Sequence, residues 1–377
     1  MKTKKITIIG CGLIGGSISL ALRRRRPEWS LTCLDVPARL PAIREAAVAD
    51  EVGSIEDLAA HVPDSSLVLI ATPVHAVLET ASRLRPYLRP GSIVTDVAST
   101  KKRIMEEAQS LMPPGVHFIG GHPMAGSEHS GVEAADPLLF SDRVYLLCPY
   151  ADTPSDALLQ LMDLAEDLLA LPITVDPGEH DRIMAVVSHL PQLISVALMH
   201  AAQAGDAEHA MLDKLAGRGF LDMTRLAASE FAMWQGILET NRDAIEESLD
   251  RFGRSLSQLR EAIANGSGAL LWEQAGSRRR KMAADSLVRP RKPDLRSQID
   301  RCDKQILAAL GHRIQAARRI GKLKMNQASP VHDPDRERRM LLQRKEWAQS
   351  LGLSSDLIDE LFAVIVKHSS RIQTPPS

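Results

Sequence analysis

The segment IGGHPMAGSEHSG, residues 119–131, sets two histidines, a glutamate and two serines among four glycines and a proline. An imidazole with a pKa of about 6.5 can accept a proton at neutral pH, which makes His122 a candidate general base. Pro123 fixes its own φ and biases His122 toward extended backbone, while the flanking glycines let the chain pass close to another group. The expectation is a loop that presents His122 to a ligand. The plainer alternative is a surface turn, since Gly, Pro and Ser mark turns by themselves.

A second chemistry-bearing pattern opens the chain. Gly10, Gly12 and Gly15 form G-x-G-x-x-G directly after the apolar run ITIIG and directly before the helical run LIGGSISLALRR. Between a strand and a helix the motif acquires a mechanism. Gly10 makes the turn, Gly12 admits a pyrophosphate, and the helix start at Leu13 and Ile14 offers it free backbone N–H groups. Asp35 ends the second apolar run, where a carboxylate binds both ribose hydroxyls of NAD and repels the 2′-phosphate of NADP. Arg39 works slightly against that preference, and Thr72, after SLVLIA, completes the cofactor set. Without a ligand, the same glycines would mean only tight strand-to-helix packing.

The elements that must position these groups follow from the apolar pattern. The runs ITIIG, LTCLDV, SLVLIAT, SIVTDV, HFIGG and VYLLC alternate with helical stretches up to about residue 176, which specifies a mainly parallel α/β sheet. Over 177–275 strand signals give way to long helical stretches, so an all-α domain is expected there. SRRRKMAADSLVRPRKP, 277–293, is basic and aperiodic and reads as a linker starting near 276; it carries no interleaved aromatics or reading motif for nucleic acid. In 294–377, apolar residues from Leu295 to Leu323 keep helical spacing for about eight turns. A break at Ala328, Ser329 and Pro330 follows, then shorter helices near 334–349 and 354–373.

A chain of 377 residues calls for two or three domains, and a net charge of -1 with 25% charged residues excludes nucleic-acid binding by bulk charge. The four cysteines are scattered, so reduced cytoplasmic thiols are expected, with no disulfide and no metal. Glycines interrupt the N-terminal apolar run too early for a signal peptide. No membrane span is expected, and the protein reads as cytoplasmic.

The chain from Ile6 to about Leu259 resembles the prephenate dehydrogenase family through GCGLIGGS, DVASTK, GGHPMAGSEHSGVEAA, HDRIMAVVSHLPQ and GFLDMTRLAASEFAMW. The resemblance implies that His122 bonds the ring hydroxyl of prephenate and takes its proton while the ring hydride passes to NAD. Ser99 matches the serine that orients this histidine, Glu128 a glutamate near the substrate, and Arg225 the arginine that grips a carboxylate. A guanidinium fork suits that task. Asp222 shares a helical face with Arg225, and Trp234 follows nine residues later; an ion pair and a core indole are their plainer readings. His189 in SHLPQ fits the pattern as well. Family members often read SHLPH, so Gln192 is a departure that leaves prephenate and arogenate both open as substrates.

The segment from Pro293 to Gln373 resembles the all-helical chorismate mutase family. By that resemblance Arg296 and Arg313 bind carboxylates, and Lys324 and Gln373 donate to the ether oxygen. Asp333, Arg336 and Glu337 surround the hydroxyl and enolpyruvyl ends, and Ser369 completes the set. Arg313 and Lys324 are about three turns apart, roughly 16 Å, and face the same side of a helix. A pericyclic rearrangement needs positioning and donors at the breaking bond, without a nucleophile or metal.

The resulting reading is a Rossmann-type α/β domain (1–176), an all-α substrate and dimerisation domain (177–275), a linker (276–293) and a three-helix mutase domain (294–377). It implies an NAD-dependent homodimer that converts chorismate to prephenate and then to 4-hydroxyphenylpyruvate. The competing readings are an arogenate-preferring dehydrogenase with a mutase tail, a dehydrogenase for another acid with a vestigial tail, and a dinucleotide-binding regulator.

Overall fold

The computed structural model describes residues 4–126, 129–203, 212, 214–286, 306, 310, 313, 314, 317, 321, 334–350 and 353–373. Two compact units divide the chain, Met1–Asp285 and Ser286–Ser377.

The first unit is built on an eight-stranded sheet of order β3-β2-β1-β4-β5-β6-β7-β8. The strands are β1 (Lys5–Ile9), β2 (Ser30–Asp35), β3 (Glu51–Ser54), β4 (Leu67–Ile70), β5 (Ile93–Asp96), β6 (His117–Pro123), β7 (Val144–Cys148) and β8 (Leu171–Thr174). The central strands are near-continuous apolar runs because both faces are covered. Ile6, Ile8, Leu31, Cys33, Leu67 and Leu69 enter one core layer, while Ile9, Leu34, Val68, Ile70 and Val94 enter the other. The strand order reverses between β1 and β4, which opens the crevice where such sheets bind ligands.

Two strands escape the apolar pattern. EVGS of β3 and LPIT of β8 are short edge strands, and an edge tolerates the missing donor of Pro172. β7 pairs antiparallel with β6, so the sheet is mainly, not wholly, parallel.

The expectation of a loop at His122 is corrected. His122 lies in β6, in register with Leu146 of β7. The glycines serve close approach inside the sheet instead of a turn: a Cβ on Gly121 would stand 2.5 Å from the Asp96 carbonyl oxygen. Extended backbone ahead of Pro123 suits a strand as well as a loop.

The helical part begins at Asp176, whose carboxylate accepts the Glu179 N–H at 3.0 Å while Pro177 takes the first helical position. Helix Pro177–Met184 continues through a π turn, Ala185–His189, into helix Leu190–Gln203. Pro191 cannot donate to the helical ladder, and the wider turn directly before it is where His189 sits. Helices Arg218–Thr224, Phe231–Thr240, Arg242–Ala264 and Ala269–Ser286 follow. The last runs into the expected linker: 277–286, read as aperiodic, are helical. The Arg, Lys, Met and Ala residues of 278–284 favour helix, and neither Gly nor Pro falls within 277–286.

In the second unit, helices Pro334–Ser350 and Ser355–Gln373 fall within a few residues of the expected bounds. The described residues between 306 and 321 are helical, and Ala317, Ala348 and Ile358 are buried. Lys345 Nζ lies 2.7 Å from Asp359 Oδ2, linking the last two helices.

Candidate active sites

The cofactor motif has the geometry its spacing specifies. Gly10 adopts φ +91°, and a Cβ there would meet the Ala71 carbonyl oxygen at 2.6 Å. Only glycine combines that backbone with that approach. A Cβ on Gly15 would lie 2.0 Å from the Gly10 carbonyl oxygen, so this glycine lets helix Leu13–Arg25 sit tightly on β1. At Gly12, by contrast, a Cβ would meet nothing within 4 Å. That open space lies at the N-terminus of the helix, beside Leu13 and Ile14. The buried Thr72 hydroxyl has no hydrogen-bond partner. Asp35 accepts the Cys11 N–H at 2.7 Å, which fixes its carboxylate beside the loop. An open cradle, an orphaned hydroxyl and an anchored carboxylate fit a dinucleotide.

Around His122 the structure assembles groups from three segments. His122 Nδ1 lies 2.9 Å from His180 Nε2, and His180 Nδ1 lies 2.7 Å from Asp181 Oδ1. Asp181 also accepts the backbone N–H groups of Lys101 at 2.7 Å and Lys102 at 2.9 Å, at the start of helix Lys102–Leu111. A helix N-terminus stabilises a carboxylate placed there. Lys101 Nζ pairs with Asp96, both fully buried, and Asp96 Oδ1 accepts the Gly121 N–H at 3.1 Å. DVASTK is thereby tied to the strand that carries His122.

Ser99 is half-buried, and among the described residues no hydrogen bond joins it to His122; the ring is held by His180. Sequence reading passed over His180, Asp181, Lys101 and Asp96, although HDR and DVASTK contain them. Only topology brings Asp96, at the end of β5, beside Gly121 of β6.

On the helical side, His189 is buried, with Asn241 Nδ2 3.2 Å from its Nδ1 and the Trp234 ring edge-on at 6.0 Å. The Trp234 indole N–H is buried without a partner. Arg225 opens the short 3-10 turn Arg225–Ala228, and Asp222 is exposed one turn earlier. Gln192 also has a scaffold role: its amide donates to the Leu226 carbonyl at 2.9 Å and to Ser229 Oγ at 2.6 Å. Both of its donors are committed to the turn that begins with Arg225. Glu128 lies outside the described residues.

In the tail, Arg313 Nη1 donates to Ser369 Oγ, so the two members of the expected set whose side chains are described meet. Arg344, which sequence reading did not select, places its guanidinium 4.4 Å from the Phe362 ring centre. Burial pulls both arginines below their ordinary range, and Arg313 adds to the effect on Arg344. Arg296, Lys324 and Asp333 lie outside the described residues, as do the side chains of Arg336, Glu337 and Gln373.

Residues 18–172 match the family model described as prephenate dehydrogenase, nucleotide-binding domain, and 176–275 that of the prephenate dehydrogenase dimerization domain. The prephenate dehydrogenase of Bacillus subtilis is 35% identical over 263 residues, 68% of this chain and 70% of that protein. The chain belongs to the prephenate dehydrogenase family. A prephenate dehydrogenase from A. aeolicus, solved in complex with hydroxyphenyl propionate and NAD+, superposes with a TM-score of 0.70 at 28% identity, covering 75% of this chain and 99% of that one. Residues 295–374 match the chorismate mutase type II model. Over 75 residues the chain is 35% identical to the T-protein of Enterobacter agglomerans, 20% of this chain and 20% of that one.

Within this dehydrogenase fold the buried histidines have a measurable consequence. Burial holds His122 well below its ordinary value, with His180, Lys101 and His189 adding to the effect. Burial likewise pushes His189 from 6.5 down to about 4, against the opposing pull of Asp181. The unfolded chain therefore binds protons on these rings at a higher pH than the folded one does. Their contribution to stability is complete above pH 6.5 and is lost as pH falls toward 4, by up to about 3 kcal/mol for His189. Denaturant midpoints between pH 7.5 and 5 should fall, and His189→Asn should flatten that slope. An unchanged slope in the variant would show that His189 is not buried as the neutral ring.

Proposed function

We propose that this chain is a bifunctional enzyme of tyrosine synthesis, rearranging chorismate to prephenate in its C-terminal domain and oxidatively decarboxylating prephenate in its N-terminal region. The observation that carries the dehydrogenase reading is a buried imidazole, His122, on β6, two strands beyond the crevice strand β4, with its Nδ1 occupied by His180 and its Nε2 without a hydrogen bond among the described residues. Gly12, Thr72 and Asp35 would hold NAD, which would supply the hydride acceptor. His122 Nε2 takes the proton of the ring hydroxyl as hydride leaves the same carbon, which turns C–OH into a carbonyl. Loss of carbon dioxide pushes its bonding electrons into the ring, and the oxygen recovers a proton to give the phenol of 4-hydroxyphenylpyruvate. Burial supports this cycle, because a ring held neutral is ready to accept.

Arg225 binds a carboxylate, with Asp222 on the same face, and Trp234 and His189 offer donors from the helical side. Glu128 lies near the substrate, and Ser99, as the resemblance implies, helps to orient His122. The proposed division is 1–176, 177–275, 276–293 and 294–377, and the boundary between the two compact units falls within the third segment. The working form is a cytoplasmic homodimer without nucleic-acid or membrane partners. The apolar side chains that the helical region exposes, among them Val187, Leu221, Met223 and Phe231, support pairing with a second copy.

In the mutase domain Arg313, held by Ser369, grips a carboxylate, and Arg296 supplies the second grip. Lys324 and Gln373 aim at the ether oxygen, while Asp333, Arg336 and Glu337 orient the remaining polar ends.

Arg225→Ala should mainly raise the KM for prephenate, because it removes a grip made equally in ground and transition states. An unchanged KM would place the carboxylate elsewhere. Supplying chorismate with NAD, and then prephenate and arogenate separately, tests the whole assignment. NADH formed only from arogenate would replace prephenate as substrate.

A further inference from the structure

The three groups His122, His180 and Asp181 form a line whose protons can be assigned from hydrogen-bond chemistry. Asp181 accepts two backbone N–H groups, and its Oδ1 also faces His180 Nδ1 at 2.7 Å. A carboxylate cannot donate, so His180 carries its proton on Nδ1. In a neutral imidazole the other nitrogen is then a bare acceptor. That nitrogen, His180 Nε2, lies 2.9 Å from His122 Nδ1, so His122 must donate there. The proton of a neutral His122 is thus on Nδ1, and Nε2 holds a lone pair.

We infer that His180, anchored by Asp181, is a positioning residue that fixes His122 in the Nδ1–H tautomer and so keeps Nε2 bare to act as the base. The chemical use of this arrangement rests on the dehydrogenase reading; the tautomer itself belongs to the resting chain.

The anchor is rigid. Asn241 Nδ2 donates to the Asp181 carbonyl at 2.8 Å, so the carboxylate bearer is held from the helix start at Lys102 and from Asn241 as well. His180 is fully buried, and its ring meets that of His122 edge-on at 61° with centroids 5.1 Å apart. The charged and titratable groups around the line are the Lys101–Asp96 pair and His189. The same reasoning gives His189 the opposite tautomer. The Asn241 amide donates to its Nδ1 at 3.2 Å, so its proton is on Nε2. The site therefore holds one imidazole set to accept and one set to donate, which suits a substrate with a hydroxyl to deprotonate and a carbonyl or carboxylate to hold.

Two independent measurements test this. In the full-length chain labelled with 15N-histidine, with resonances assigned through His122→Asn and His180→Gln, His122 at pH 7.5 should show the neutral Nδ1–H pattern. An Nε2–H pattern, or a cationic His180, overturns the inference whether or not the protein oxidises prephenate. In kinetics, His180→Phe should lower kcat for prephenate oxidation about ten- to a hundredfold at every pH of the plateau, with little change in KM. His180→Gln, whose amide can both donate and accept, should recover most of it. Wild-type kcat in the Phe variant, or equal losses in both variants, overturns the positioning role. Failure of the parent chain to oxidise prephenate would instead remove the dehydrogenase reading and leave the tautomer to the spectra.

Discussion

Replacing His122 by Asn is expected to lower NADH formation from prephenate by about two to four orders of magnitude while chorismate turnover continues. Asn is the informative choice. Its amide N–H can occupy the place of Nδ1 and donate to His180 Nε2, so the buried line to Asp181 keeps its hydrogen bond, and what disappears is the basic nitrogen. The loss should therefore fall on kcat, with NAD affinity preserved, because the proposed NAD contacts at Gly12, Thr72 and Asp35 are untouched. Mutase activity provides the internal reference, since the tail is a separate compact unit. Undiminished NADH formation would mean that the proton leaves by another route and would remove His122 from the mechanism. A parallel collapse of both activities would indicate an unfolded chain, which a denaturation curve would reveal.

What the sequence disclosed about this site depended on range. The cofactor loop was legible because strand, glycines and helix are contiguous, so local backbone rules assign each glycine a task. Gly10 has the positive φ and Gly12 the open space that the spacing specified, and Gly15 adds a close contact of its own. His122 was legible as a residue but misplaced in its element, because glycines that serve a turn and glycines that serve close packing look alike in a sequence. The difference lies in Asp96, whose carbonyl crowds Gly121 across the sheet. His180 and Asp181 were beyond reach. A histidine at a helix start is ordinary, and only the docking of helix Pro177–Met184 against the Lys101 turn gives it two partners. Gln192 shows another limit of range: the sequence marks it as a departure from a familiar pattern, and only the fold reveals that its amide secures the turn at Leu226 and Ser229. At the linker, composition that reads as hinge also has high helix propensity, and propensity prevailed through residue 286.

Coexpression of Arg296→Ala with Lys324→Ala is expected to restore mutase activity that each variant alone has almost entirely lost. Arg296 and Arg313 are separated by seventeen residues on one expected helix, which places their Cα atoms roughly 25 Å apart. A molecule the size of chorismate cannot touch both. Arg313 is tied to Ser369 of the last helix in its own chain, so its grip belongs to that chain's site. Arg296 must then serve a different site. About 80 residues also make a marginal core, and a long helix can bury its apolar stripe against a symmetry mate. Both considerations favour a dimer in which Arg296 of one chain completes the site built by Arg313, Lys324, Glu337 and Gln373 of the other. In a heterodimer of the two variants, one site lacks both groups and the other keeps both. Random pairing makes half of the dimers mixed, so about a quarter of all sites should work. The readout is prephenate formation by tagged, purified heterodimers, compared with each homodimer at equal concentration. Verified heterodimers with no recovered activity would show that Arg296 acts within its own chain, and the dimeric site would have to be abandoned.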